Sequence, residues 1–315
     1  MKRFGLIGAA GYIAPRHLRA IKDTGNELIV SMDVNDSVGI MDSYFPDAEF
    51  FTKFEQFEAF IEDEKLAGRS LDYITICSPN YLHVPHMKFA LKNCINVICE
   101  KPLVLNASDL DTLTAYEKAY GVRVNSILQL RLHPSILALR DRVQSAPKGE
   151  VFDVELTYIT SRGKWYMSSW KGLDEKSGGV ATNIGVHFYD MLHFIFGAVL
   201  KNKVYYRDEK TVAGFLEYEC ARVHWLLSID AQFLPENAIN GEKVTYRSIA
   251  IAGEELEFSG GFTDLHTQSY EHILVGNGYG IDENRTAIET VETIRNAEIL
   301  PPTNTPHHLL SKVQK

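Results

Sequence analysis

The sequence has 315 residues, 45% of them apolar and 23% charged, a globular composition with length enough for two domains rather than one ordinary core. Its formal net charge of −9 argues against a broad phosphate-binding surface, so nucleic acid is not an expected partner; a local arginine cluster would still suit one small anion. No run approaches the roughly 18 apolar residues of a membrane helix, and the apolar stretch after Met1-Lys2-Arg3 is too short for a signal-peptide core, so no membrane partner is expected and the cytoplasm is the expected compartment.

In chain order, Phe4–Gly8 is predicted as a strand and Ile13–Lys22 as a helix with Pro15 in its first turn, where a missing N–H costs nothing. A second strand, Leu28–Met32, ends at Asp33. Phe54, Phe57, Phe60 and Ile61 recur at helical spacing. Leu71–Cys77 and Ile95–Cys99 are predicted strands flanking a helix over Tyr81–Lys92. A helix capped by Ser108 runs to about Ala119, and Val122–Leu128 closes the series. Near-continuous apolar strands separated by helices imply a parallel sheet covered on both faces, an α/β Rossmann domain over residues 1–130.

The pattern then changes. After a helix near Pro134–Val143, Val151–Tyr158 alternates with period two, which predicts an antiparallel strand with one wet face. Strand-like runs follow at 203–207, 212–219, 222–230 and 246–251. Helices are predicted over Asn183–Phe196, Asp264–Val275 and Glu283–Glu298, and a loop from Pro301. Residues 131–315 therefore read as an α+β domain with a mostly antiparallel open sheet, for substrate binding and oligomerisation. Its open face is a natural homo-oligomer surface. The cysteines Cys77, Cys94, Cys99 and Cys220 show neither CxxC nor metal spacing, so neither a disulfide nor a metal site is expected.

The first predicted strand runs into Gly8-Ala9-Ala10-Gly11-Tyr12-Ile13-Ala14 and then a helix. A side-chain-poor turn at a helix N-terminus brings backbone N–H groups and the helix dipole to a pyrophosphate. The fingerprint is degenerate: counted from Gly8, its second and third glycine positions hold Ala10 and Ile13. Asp33, at the end of the second strand, adds a carboxylate that accepts from ribose hydroxyls and repels the 2′-phosphate of NADP, so NAD is the expected cofactor. Two further strand ends carry polar groups, Ser78-Pro79-Asn80-Tyr81-Leu82-His83 and Glu100-Lys101-Pro102. A lysine in that place is, by itself, an ordinary snorkelling side chain.

These motifs, with Ala14-Pro15-Arg16-His17 and Gly178-Gly179-x-x-x-Asn183-x-Gly185-x-His187-x-x-Asp190, recur in an order that resembles the Gfo/Idh/MocA family over nearly the whole chain. The resemblance implies an NAD-dependent dehydrogenase in which Lys101 and His187 lie beside the nicotinamide and the reacting carbinol. It also implies a Lys101–Pro102 bond in the cis form, cofactor contacts from Gly8, Ala10, Gly11, Tyr12, Ile13, Asp33, Ser78, Asn80, His83, Glu100, Lys101 and Gln129, and a dimeric or tetrameric assembly. A neutral imidazole suits the proton acceptor's role, here given to His187. Lys101, its pKa depressed by the oxidised nicotinamide, either polarises the developing oxyanion or is itself the base. The family has aspartate where Asn183 stands. An amide carries no charge and takes no proton, so Asn183 is expected to hydrogen-bond the substrate or orient His187, with which it shares one face of the predicted helix.

Gln129-Leu130-Arg131, Ile159-Thr160-Ser161-Arg162-Gly163-Lys164-Trp165-Tyr166, Ser169-Trp170-Lys171-Gly172 and Gly261-Phe262-Thr263-Asp264-Leu265-His266 narrow the resemblance. They resemble the members that oxidise C3 of a UDP-linked N-acetylglucosaminuronic acid with NAD for bacterial O-antigen sugars. On that resemblance Arg131, Arg162 and Lys164 meet a carboxylate or diphosphate, and Trp165 and Tyr166 stack on a sugar or uracil face. His266 and Tyr270 are secondary candidates. A polyol such as an inositol as substrate, or a non-catalytic NAD-binding sensor, are the rival readings.

Overall fold

The computed structural model describes residues 1–251, 253–258, 264–302 and 306–314. Strands β1 (Arg3–Ile7), β2 (Glu27–Met32), β3 (Glu49–Phe51), β4 (Tyr73–Ile76), β5 (Asn96–Cys99) and β6 (Val124–Ser126) alternate with helices α1 (Ala14–Asp23), α2 (Phe54–Leu66), α3 (His83–Lys92) and α4 (Ala107–Tyr120). After α5 (Pro134–Gln144) and β7 (Phe152–Thr160) come three short helices, α6 (Lys164–Ser168), α7 (Asp174–Ser177) and α8 (Gly179–Asn183). The longer α9 (Val186–Phe196) leads into β8 (Val199–Arg207), β9 (Thr211–Tyr218) and β10 (Ala221–Ser228). Then follow α10 (Glu236–Asn240), β11 (Thr245–Ile251), β12 (Glu254–Glu257), α11 (Leu265–Leu274), α12 (Ile281–Asn296) and α13 (Leu310–Val313). None of the described helices is long and apolar enough to cross a membrane.

The chain forms two compact units, and the first is Met1–Gln129 together with a later stretch that ends at Arg285. Its six strands are all parallel, in the order β3-β2-β1-β4-β5-β6. The sheet core, including Leu6, Ile74, Val97 and Ile98, is fully buried, as near-continuous apolar strands require. The order reverses between β1 and β4, and open α/β sheets bind ligands beyond the carboxyl ends of the strands at such a reversal. Two local expectations shift: Asn106 rather than Ser108 stands at the N-cap of α4, and a 3-10 turn at Asn80–Leu82 precedes α3. The short edge strand β3 carried no periodic signal at all.

The return stretch departs from a simple two-part division of the sequence. Tyr270 and Ile273 of α11 belong to the same buried cluster as Phe4, Leu18, Ile21 and Ile98. The Phe4 ring stacks on Tyr73 and Tyr270, at 5.1 and 5.9 Å between centroids. The apolar face of α11 thus completes the Rossmann core, although its sequence lies far into the second half.

The second unit comprises Leu130 onward and, after the return stretch, Thr286 to the C-terminal end. Its sheet runs β12-β11-β7-β10-β9-β8. Four neighbours pair antiparallel, and β7 with β10 is parallel, so the sheet is mixed and mostly antiparallel as expected. The wet-face expectation for β7 holds only at its start, because from Thr157 onward both faces are buried. On one face Tyr158 meets Phe188 of α9 at 4.4 Å and Trp225 meets Tyr189 edge-on at 5.3 Å. On the other, Leu309 and Leu310 of the C-terminal stretch cluster with Ile159, Tyr205, Ala213 and Leu226.

Candidate active site

In the first unit the glycine turn has the geometry that a pyrophosphate cradle requires. Gly8 sits at φ +94°, and a Cβ there would stand 2.6 Å from the Cys77 carbonyl carbon. Only glycine therefore lets the end of β1 lie against the end of β4, at the reversal point. The turn closes through Gly11 N–H to Gly8 O and Ala14 N–H to Gly11 O, both 3.0 Å, and α1 starts at once, with Ile13 at its N-cap and Pro15 in its first turn. Tyr12 is 86% exposed beside it. Asp33 Oδ2 accepts from the Ala10 N–H at 3.0 Å and Oδ1 from the Asn35 N–H at 2.9 Å. Each oxygen retains a lone pair for a ribose hydroxyl. The side-chain-poor turn at the N-terminus of α1 and the placed Asp33 carboxylate fit a dinucleotide.

The next strand ends are built differently from the sequence expectation. His83 is buried, with Nδ1 2.8 Å from Pro102 O and Nε2 2.9 Å from Ser78 O. With both ring nitrogens engaged, it braces the loop after β4 against the loop after β5. Burial pushes its pKa down, against the pull of those two carbonyls. Ser78 Oγ pairs with His86 Nδ1 at 2.9 Å; Asn80 and Gln129 are also buried.

The Glu100 side chain is likewise engaged within the protein. Its Oε1 lies 2.9 Å from His17 Nε2 and 3.0 Å from His266 Nε2, and its Oε2 accepts from the Lys101 N–H at 3.1 Å. Burial alone would push this carboxyl up, but the two imidazole hydrogen bonds and charges outweigh it and hold Glu100 well below the usual carboxylate range. An ionised carboxylate only accepts, so His17 and His266 both donate to it from Nε2. His17 Nδ1 lies 2.8 Å from the Tyr270 hydroxyl, which in turn lies 2.8 Å from Thr75 Oγ1. His17, Glu100 and His266 have the composition of a metal-ligand set, but both imidazole Nε2 atoms already meet one carboxylate oxygen at hydrogen-bond distance. Lys101 itself is half-buried, and its bond to Pro102 is cis, as the resemblance implied.

In the second unit the predicted single helix Asn183–Phe196 is two helices, broken at Ile184-Gly185. A Cβ on Gly185 would stand 2.6 Å from Leu227 Cδ1 and 2.9 Å from Tyr189 Cε2. The bare glycine lets the break press onto β10, and it puts His187 second in α9, nearly buried. Asn183 and His187 thus belong to different helices rather than to one face. Asn183 Nδ2 donates to the Tyr166 hydroxyl at 2.6 Å. Burial raises the Tyr166 pKa, while the Asn183 bond and Arg162 pull it the other way.

Arg131 is placed differently from the expectation of a substrate cation. Its Nε and Nη2 close on the two oxygens of Asp190 at 3.0 and 2.7 Å, and its guanidinium lies 5.2 Å from the Phe194 ring. Arg162 and Lys164 are exposed, and Trp165 is 54% exposed. The sequence reading gave no role to Lys171, whose Nζ stands 5.1 Å from the Trp165 ring centre and 5.4 Å from that of Trp170. The two tryptophans that precede it, Trp165 and Trp170, were the available signal. Burial and Arg162 lower the Lys171 pKa. His17, whose bond to Glu100 crosses from α1, gave no sequence signal beyond its place in a motif. The Gly261–Thr263 part of the predicted motif lies outside the described residues.

Comparison with known proteins agrees with this architecture. Residues 2–127 match the model for the NAD-binding Rossmann fold of the GFO_IDH_MocA oxidoreductase family, and residues 148–302 match that family's C-terminal alpha/beta domain. The WlbA (WbpB) dehydrogenase from Thermus thermophilus, solved with NAD and alpha-ketoglutarate, is 50% identical with a TM-score of 0.95, over 98% of this chain and 100% of that one. The same enzyme has been solved with NAD and UDP-GlcNAcA. Glucose-6-phosphate 3-dehydrogenase of Bacillus subtilis (strain 168) is 24% identical over 200 residues, 62% of this chain and 54% of that protein. Inositol 2-dehydrogenase of Rhizobium meliloti (strain 1021) is 25% identical over 197 residues, 62% of this chain and 55% of that protein. The chain spans about half the length of these two curated relatives.

Proposed function

Because the chain belongs to the Gfo/Idh/MocA family of NAD-binding oxidoreductases, we propose that it oxidises the C3 hydroxyl of UDP-N-acetyl-2-amino-2-deoxy-D-glucuronate to the 3-keto sugar, in bacterial O-antigen sugar biosynthesis. The observation that carries this reading is the 49–50% identity, across the whole length, to a dehydrogenase solved with NAD and with UDP-GlcNAcA.

The Gly8–Ala14 turn and the α1 N-terminus hold the pyrophosphate, and Asp33 holds the adenosine ribose. Bound NAD supplies the hydride acceptor. His187 takes the hydroxyl proton, and Lys101 stabilises the oxygen on which negative charge develops. Tyr166, oriented by Asn183, hydrogen-bonds the sugar, while Arg162, Lys164 and Trp165 offer exposed cations and an aromatic face to the nucleotide. A homo-oligomer is the proposed assembly, and the cytoplasm the proposed compartment.

The test uses the purified full chain with NAD and a panel of UDP-N-acetylglucosaminuronate, UDP-N-acetylglucosamine and myo-inositol, following reduced nicotinamide by absorbance. Runs with and without 2-oxoglutarate separate a released cofactor from one recycled in place. Turnover of the uronate is expected; turnover of inositol alone would overturn the substrate, and none with any compound would favour a sensor.

A further inference from the structure

The network around Glu100 joins four separate elements of the first unit at one carboxylate. His17 comes from α1, His266 and Tyr270 from the return helix α11, and Thr75 from β4, while Glu100 itself follows β5. His17, Tyr270 and Thr75 are wholly buried, and Glu100 and His266 nearly so. A buried carboxylate is costly unless its lone pairs are filled. Here one oxygen is filled by two imidazole N–H groups, and the other is turned toward a single backbone donor, the Lys101 N–H. That N–H lies at the start of the turn from which the Lys101 side chain leaves the sheet.

We propose that His266, with His17, is a positioning residue: the two imidazoles hold Glu100 in the one orientation that ties down the Lys101 amide, and so aim the Lys101 side chain. The proposal rests on Lys101 acting in the reaction, as assigned above. His266 reaches this place only through the return stretch, so α11 supplies more than core packing. A carboxylate held from one side by two donors has little freedom to rotate, and its second oxygen is therefore fixed in space. Removing one donor frees that rotation and loosens the amide.

The experiment uses the full chain with His266→Leu, His266→Gln and His266→Asn. The glutamine amide nitrogen reaches the position of Nε2 and keeps a donor to Glu100; the shorter asparagine places its nitrogen near Nδ1 and does not. Two readouts are taken well below each variant's thermal midpoint: kcat, and exchange of the Lys101 amide proton in protein labelled with 15N-lysine, without cofactor. Leucine and asparagine are expected to lower kcat about ten-fold or more, the order of one hydrogen bond to a charged group, and to speed Lys101 amide exchange by a similar factor. Glutamine should restore both to within about three-fold of wild type. Should the leucine variant not fold, the glutamine–asparagine pair carries the comparison. Equal behaviour of glutamine and asparagine, or unchanged Lys101 exchange in both, overturns the proposal. Lys101→Met with wild-type kcat would instead overturn the assignment of Lys101, a failure that the exchange measurement registers separately.

Discussion

Asn183 donates to the Tyr166 hydroxyl at 2.6 Å, so the phenol oxygen is an acceptor in that bond and its own proton points elsewhere. With aspartate at this position the bond would run the other way, because a carboxylate only accepts. The amide therefore leaves Tyr166 as a donor for the sugar. Tyr166→Phe should reduce kcat/KM for the nucleotide sugar about ten-fold, the cost of one hydrogen bond, and leave the NAD dissociation constant unchanged. Asn183→Asp should lower kcat/KM in the same direction by capturing the phenol proton. Steady-state kinetics with a fluorescence titration of NAD decides this, and wild-type kcat/KM in both variants would rule it out.

The two glycines of the turn should respond unequally to alanine. At Gly8 the φ of +94° and a Cβ 2.6 Å from Cys77 backbone leave nowhere for a methyl group. Gly8→Ala is expected to cost roughly 1–3 kcal/mol from the backbone conformation alone and to abolish NAD binding. At Gly11 the nearest obstacle is Gly8 O at 3.0 Å and φ is not positive, so Gly11→Ala should weaken NAD binding less. Calorimetric titration of both variants would reveal an equal loss if this ranking is wrong.

Arg131 and Asp190 form a buried pair, their side chains 11% and 1% exposed. Removing either charge takes the two-pronged contact away from a largely buried partner. Asp190→Asn should therefore destabilise the protein by about 3 kcal/mol, and Arg131→Lys should also lose stability because an ammonium cannot match the two-pronged contact. Urea unfolding measures this directly. A loss of substrate affinity with unaltered stability would instead return Arg131 to the role of a substrate cation.

Stability should fall as the solution is acidified from near neutrality. Burial pushes His307 down to about 4, partly opposed by Glu155, and burial with Arg131 pushes His193 down to about 3. Unfolded, both imidazoles titrate near 6.5, so below that pH the unfolded chain binds more protons than the folded one and stability drops. Glu155, held at about 2 despite its burial, chiefly by the hydrogen bond from His308, loses its contribution only below about 4.5. The window between 6.5 and 4.5 thus reports the histidines. His307→Gln, which takes up no proton, should flatten the dependence of thermal midpoint on pH in that window; an unaltered slope would contradict the assignment.

Period and order sufficed for the parallel sheet, the glycine turn, Asp33 at the end of β2 and most strands of the second unit, because each depends on local sequence. What they did not convey depends on contacts between distant segments. Gly185 was the one local signal of the helix break at Ile184-Gly185, and its close approach to Leu227 on β10 shows only in the fold. Arg131 looked like a free cation because Asp190 lies far along the chain. The side-chain partners of Glu100 and His83, which are His17, His266 and two backbone carbonyls, are brought in by folding. The parallel pairing of β7 with β10 has the same character.

The return of α11 to the first unit bears on how the protein is made. A ribosome that has finished residue 130 has released every strand of the Rossmann sheet, yet Tyr270, Ile273 and His266 have still to be synthesised. Until they arrive, Phe4, Leu18 and Ile21 lack part of their cover, and the Glu100 carboxylate lacks one of its donors. Domains commonly fold in order from the N-terminus during synthesis; here the nucleotide-binding half must wait, partly open, while most of the other half is translated. The two halves are consequently not interchangeable cassettes, and a fragment cut at the sequence boundary would carry an exposed apolar gap and a buried charge short of a partner.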